Sequence, residues 1–259
     1  RELQVCPEAL EFDVIVSIPV MKTHMHTGVT LAVKNMKGCL WRRSKVELHM
    51  LPAQDRKDAR SLEIAIADMA SVLRPHFSLI DGTIGMEGLG PSAGVPKPLG
   101  VVVAGADAFA TDAVACYLMG RDAEDIAHLR LGAARGYGVI DLAEIQVSPD
   151  HWQSFTSPFA AAPTNLAIEF PDVTIHDEQS CSACQSTLLL FLKKHGAELR
   201  EYIPEGTPIN IAIGKGHTEL PEGTLCIGNC TACHRDRGVF VAGCPPVGSA
   251  ILKKLKNDT

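Results

Sequence analysis

"LGVVVAGADAFATDAVACYLMG", residues 99–120, decides the fold class. Its first part, 99–106, is a short valine-rich apolar run, the composition of a buried strand. Asp107 follows directly and is placed to cap a helix, because its carboxylate can accept the first orphan N–H groups. Similar pieces lie upstream. Residues 13–20, "DVIVSIPV", and 77–82, "FSLIDG", read as two more buried strands. Residues 29–40 suit a helix with Val29, Ala32, Val33 and Met36 on one face. Residues 61–74 repeat the pattern with Leu62, Ile66, Met69 and Leu73, and Pro75 stops that helix. The Gly/Pro-rich stretch 82–98 reads as a loop. Strands alternating with helices predict an α/β fold, a mostly parallel sheet with flanking helices.

From about 148 to 172 the texture turns to proline-broken loop without a period. A boundary is expected there, giving an α/β domain over 1–150 and a smaller cysteine-rich α/β unit over 151–259. The second part should hold a helix at about 182–195, strands at "INIAIGKG" and "GTLCIG", and a last amphipathic helix from Val247. The chain starts without methionine, inside what reads as a strand or loop, which is the expectation for a fragment lacking an amino-terminal element.

The net charge is −6, yet residues 21–60 carry nine Lys or Arg against three Asp or Glu. That window is either a solvated surface or an anion-binding face. Nucleic acid is not expected as a partner, since the whole chain is acidic and the window lacks interleaved aromatics. No run approaches the roughly 18 uncharged apolar residues of a membrane span. Nine cysteines, six of them from Cys181 onward, are too uneven for a secreted disulfide scaffold. A local metal site in a reducing, cytoplasmic compartment is the expectation.

Cys181 and Cys184 form C-x-x-C at a helix start, where backbone N–H groups favour thiolate. Cys226, Cys230 and Cys233 form C-x-x-x-C-x-x-C, and Cys244 precedes Pro245 and Pro246 at the last helix. Four thiolates suit tetrahedral zinc or an iron–sulfur cluster. A zinc site would pair Cys181/Cys184 with Cys230/Cys233. A [4Fe–4S] cluster would use Cys181, Cys184, Cys230 and Cys244, leaving Cys226 and Cys233 as neighbours or alternative ligands. Disulfides are a further alternative. The radical S-adenosylmethionine spacing is also matched, but such enzymes carry it near the front of a long barrel, and only 26 residues follow Cys233. "GVFVAGCPP" resembles the GCPP segment of cluster-bearing subunits of NADH dehydrogenases and hydrogenases, which implies a cluster ligand at Cys244.

"SIPVMKTHMHTGVTLAVKNMKG" (17–38) and the segment 79–120 together resemble the domain-of-unknown-function 362 (DUF362) family. The motifs that carry the likeness are Pro-x-x-Lys-Thr-His, Thr-x-x-x-x-Lys-Asn, Met-Glu-Gly-x-Gly-Pro and Asp-x-x-x-x-Asp. The resemblance implies an α/β fold and an iron–sulfur cofactor class rather than a particular reaction.

Lys22, Thr23 and His24 follow the first strand, where open α/β sheets place ligands. Lys34 and Lys37 lie off the apolar face of the next helix. The alternatives are a solvated helix face or an anion clamp, with His24 as acid, base or metal ligand, and with His26 and His49 as candidates to join it. Asp112 is expected near a helix start, buried against Lys22 or Lys34. The glycines of "GMEGLGP" allow close backbone approach to a ligand. The expected function is therefore that of an iron–sulfur protein, an oxidoreductase if it is an enzyme, with a redox partner protein and an anionic small molecule held by Lys22, His24, Lys34 and Lys37. The alternative is a non-redox protein with a structural four-cysteine zinc site and a basic binding face.

Overall fold

The computed structural model describes residues 3–42, 44–52, 58–161, 170, 173–203 and 206–258. The chain divides into two units, Arg1–Gly90 with Gly94–Ala162, and Pro91–Ala93 with Pro163–Thr259. The division at 162/163 falls inside the proline-broken stretch, later than the expected 150/151. Both units are α/β, and parallel pairings outnumber antiparallel ones.

The first unit opens with a short helix α1 (Glu8–Glu11), then strands β1 (Val16–Ser17), β2 (Val20–His24) and β3 (Gly28–Thr30). Helices α2 (Ala32–Asn35), α3 (Ser44–Glu47) and α4 (Ser61–Met69) follow, with 3-10 turns at Met36–Cys39 and Leu48–Met50. Strands β4 (Phe77–Glu87) and β5 (Val95–Gly105) and helices α5 (Ala108–Leu118) and α6 (Ala127–Ala134) complete it. The long β4 is central: β1 and β2 pair with it in parallel, β5 antiparallel, and β3 pairs antiparallel with β2. Met21, Leu31, Leu40, Ile66, Ile80, Phe109, Met119 and Leu129 form the fully buried centre.

Four expectations change here. The run 99–106 forms strand β5 but is not buried: no residue of β5 is, and Val102 is exposed. The apolar run 13–20 is not a buried strand: Val14, Val16, Ile18 and Val20 are exposed, while Ser17 is buried. Ser17 faces inward because its hydroxyl donates to the Ala32 carbonyl (3.1 Å) and accepts from the Asn35 carboxamide (3.1 Å), tying β1 to α2. The helix expected over 29–40 starts only at Ala32, because Gly28, at φ +69°, turns the chain back and Val29 and Thr30 pair with β2. The expected glycine loop is largely strand, since β4 and β5 run on as a hairpin through Ile84↔Pro98 to Glu87↔Val95. The expected cap at Asp107 is present; its Oδ1 accepts the Phe109 and Ala110 N–H groups at 2.8 and 3.2 Å.

The second unit is a four-stranded parallel sheet in sequential order: β6 (Val173–Glu178), β7 (Ile209–Gly214), β8 (Leu225–Ile227) and β9 (Phe240–Val241). Helix α7 (Ser182–His195) and the carboxy-terminal α8 (Gly248–Asp258) pack together through a core that includes Leu188, Phe191, Ile211, Ile213, Ile251 and Leu255. A 3-10 turn, Asn229–His234, joins β8 to β9. The pairs Val173↔Ile209, Ile211↔Leu225 and Cys226↔Phe240 set all four strands in one direction.

Candidate functional site

Parallel register places all four carboxyl ends of the second sheet at one edge, the edge where open α/β sheets bind ligands. Cys181 lies three residues past the end of β6, Cys230 three past β8, and Cys244 three past β9. Cys181 occupies the cap position of α7 and Cys184 its first turn. The two loops after β8 and β9 are tied together: the Asn229 N–H donates to the Gly243 carbonyl (2.8 Å), and the Gly243 N–H donates back to the Asn229 carboxamide oxygen (2.9 Å).

The four thiols feel one another. Cys181 is held down to about 6 by a hydrogen bond from the Cys184 thiol and by backbone N–H groups of Cys184 and Ala183, against its burial. Cys184 is pushed far up by the Cys181 thiolate beside it, by burial, and by Cys230 and Cys244. Burial, then Cys244 and Cys181, raises Cys230. Cys226 stands apart. It is fully buried with Ala212 and Leu220, donates its thiol to the His234 carbonyl (3.5 Å), and is pushed up to about 11 by burial first and then by Cys233 and Asp236. Cys233 is exposed.

The donor set is four thiols. Gly228 sits at φ +94°, a conformation that favours glycine, and lies beside the Cys184 sulfur. Among the described residues, no three His, Cys, Asp or Glu side chains stand close enough to hold a single metal ion.

The second group lies in the first unit. Lys22 and His24 sit two apart on β2, so they share a face, and the pairing Lys22↔Thr30 brings Thr30 onto it. These residues are inside a strand, not in a loop after one. Lys34 is 7% exposed, and its ammonium donates to the Thr30 hydroxyl at 2.7 Å. The His24 ring accepts the His26 and Thr27 N–H groups on Nδ1 (3.1 and 3.3 Å), so the neutral ring carries its proton on Nε2 and faces its surroundings as a donor. Lys37 contacts Nε2 of His49.

Burial lowers Lys22, His24, Lys34, His49 and His128, and repulsion from neighbouring bases adds to it at all of these but Lys22. His24 is driven well down by burial and then by Lys34, His26, His49 and Lys37. Lys34 is lowered by burial, Lys37 and Lys22, and Lys22 by burial. His49 falls to about 3 through burial, Lys37, Lys34 and His26. His128, on the first turn of α6, falls to about 3 through burial and Lys34. Sequence reading missed His128 and Thr30, because neither stands in a motif and His128 is far away in the chain.

Asp112 does not face these bases as expected. Its two carboxylate oxygens accept the Ala32 and Val33 N–H groups (2.7 and 3.0 Å), so it caps α2 from α5. Burial raises it to about 8 against those two hydrogen bonds. The glycine loop approaches protein rather than ligand. A Cβ on Gly90 would lie 1.9 Å from the Thr23 carbonyl oxygen, and the Thr23 hydroxyl donates to the Gly88 carbonyl at 3.0 Å.

Residues 1–117 match the family model described as Domain of unknown function (DUF362). Over these residues the chain is similar to that family. A thylakoid-associated protein of Synechocystis sp. is 33% identical over 114 residues, covering 44% of this chain and 35% of that protein. The chain thus spans about a third of that relative's length. No solved structure matches this chain. The matched residues contain Lys22, His24, Lys34, Lys37, His49 and Asp112, while His128 and the six clustered cysteines lie beyond them. Among the described residues no helix is long and apolar enough to cross a membrane.

Proposed function

We propose that this is an iron–sulfur protein in which Cys181, Cys184, Cys230 and Cys244 hold a [4Fe–4S] cluster, and the basic group of the first unit holds an anionic small molecule. The observation that carries the reading is the meeting of three strand-end loops, each bringing thiol to one edge of a parallel sheet. Four thiolates suit either tetrahedral zinc or a [4Fe–4S] cluster; the Gly-Cys-Pro-Pro segment at Cys244, similar to the cluster-bearing segment of NADH dehydrogenase and hydrogenase subunits, favours the cluster. The thiols of Cys181, Cys184, Cys230 and Cys244 act on one another.

When bound, such a cluster supplies one-electron transfer. The chain's own part is to present thiolate at Cys181 through the start of α7 and to bury Cys184. Cys244 is exposed, which leaves that edge open to a redox partner protein. Reduced thiols fit a cytoplasmic, reducing compartment. The thylakoid association in the relative's name is compatible with a place at a membrane face.

Anaerobic purification followed by a visible spectrum and iron, sulfide and zinc analysis tests the reading. Brown protein with a broad band and about four irons per chain is the expected result. Colourless protein with one zinc overturns it and leaves the cysteines as a structural staple.

A further inference from the structure

Cys6 and Cys39 each stand alone in the sequence, and the fold sets them opposite one another. Val5 forms an antiparallel bridge with Leu40. Two backbone hydrogen bonds flank that bridge: the Trp41 N–H donates to the Gln4 carbonyl at 2.7 Å, and the Cys6 N–H donates to the Cys39 carbonyl at 2.8 Å. In an antiparallel ladder the residue after Val5 lies across from the residue before Leu40, so Cys6 faces Cys39. The Gln4 N–H donates to the Ser44 hydroxyl at 3.0 Å and ties the same segment a third time. Both thiols are free and half-buried, so a small reagent can reach them. Cys116, the remaining cysteine of the first unit, is fully buried.

Residues directly opposite in a ladder project their side chains to the same face. Opposed Cα atoms in a hydrogen-bonded pair stand about 5.5 Å apart, inside the range a disulfide spans. Their Cβ atoms, at about 5 Å, stand slightly wider than in a relaxed disulfide. A bond between the two sulfurs therefore closes with a small shift of the backbone and carries strain, which makes it easy to reduce. The thiols also act on one another: burial first and then Cys6 raise Cys39, while Lys45 lowers it.

We propose that Cys6 and Cys39 form a reversible dithiol–disulfide site whose oxidant is a low-molecular-weight disulfide of the glutathione type. One thiolate of the pair attacks a sulfur of the small disulfide, forming a mixed disulfide and releasing one half as a thiol. The second thiolate attacks the protein sulfur of that mixed disulfide and releases the other half. Two protein thiols become one S–S bond, and their two electrons and two protons leave on the two small thiols. The closed bond fastens the segment around Val5 to the turn Met36–Cys39, which carries Lys37. A strained, reachable pair of this kind suits a reducing compartment, where disulfides are transient and report on oxidation. The site is independent of the four thiols of the second unit and of what they hold.

The test equilibrates the full chain anaerobically with excess oxidised glutathione, blocks free thiols, digests with trypsin without reduction and maps the peptides by mass spectrometry. Trypsin releases Cys6 within peptide 2–22 and Cys39 within peptide 38–42, so the bond is read as these two peptides joined. They should be joined to each other at least about tenfold more often than to any other cysteine peptide, because facing thiols react within one molecule. Excess reduced glutathione should remove the link. In Cys39→Ser, Cys6 should stop at the glutathione adduct. Recovery of Cys6 and Cys39 from the wild-type chain as separate adducts or free thiols overturns the site. A link from either one chiefly to a cysteine from Cys181 onward overturns it as well. A bond that persists in excess reduced glutathione overturns the reversible exchange proposed for it.

Discussion

The Asp112 carboxylate receives the Ala32 backbone N–H at 2.7 Å across 80 positions of sequence. Helix α2 has no capping side chain of its own, since Leu31 occupies its cap position. A carboxylate from α5 supplies the missing acceptor and so sets where Lys34 stands.

Replacing this carboxylate separates its roles. Asp112→Asn leaves one acceptor for two N–H groups and should cost about 2 kcal/mol, read by denaturant unfolding. The acid's folded value, about 8, lies above its unfolded value of 3.8. The folded state therefore holds the extra proton between these limits, and this contribution to stability falls as pH rises from about 4 to 8. The difference between wild type and Asp112→Asn should shrink across that window; a constant difference contradicts it.

The histidines act in the opposite sense. His128 is held neutral in the fold, at about 3 against 6.5 when unfolded. The unfolded state binds the proton first, so stability is lost as pH falls below 6.5, by about 2 kcal/mol at pH 5. Unfolding of His128→Asn at pH 7 and pH 5 should show a correspondingly flatter dependence than the wild type.

Two glycines of one loop should respond differently to alanine. At Gly90 the new Cβ meets the Thr23 carbonyl oxygen at 1.9 Å, so the loop must leave β2, at a cost of about 3 kcal/mol or more. At Gly88, where φ is +73° and the space is open, the cost is backbone strain alone, about 1 kcal/mol. Melting temperatures of the two variants rank them.

Among the cysteines, loss of Cys230 or Cys244 should abolish iron and sulfide incorporation, whereas Cys233→Ser should keep both. Cys226→Ala removes a buried thiol that packs with Ala212 and Leu220, and should lower stability without changing iron content. Full iron and sulfide in Cys230→Ala and Cys244→Ala would refute the ligand assignment.

Legibility followed the range of the interaction. The cap at Asp107, helix α7 and the position of Cys181 at its start were readable, because each depends on residues within one helical turn. The short strand β3 was misread as helix, since its apolar spacing fits both periods and only pairing with β2 decides between them. Strand β6 and the short β9 went unseen for the same reason: their hydrogen bonds come from neighbours far along the chain.

Composition and local pattern were enough for the α/β class, the cysteine spacings and the concentration of basic residues between 21 and 60. Which of these residues meet was left to the packing of the whole chain. Parallel register carries Cys181, Cys230 and Cys244 to one sheet edge, and the packing of α6 sets His128 within the field of Lys34. Asp112 is turned from the bases to the backbone of α2 because a helix start left without a local cap offers its N–H groups to whatever acceptor the fold brings near.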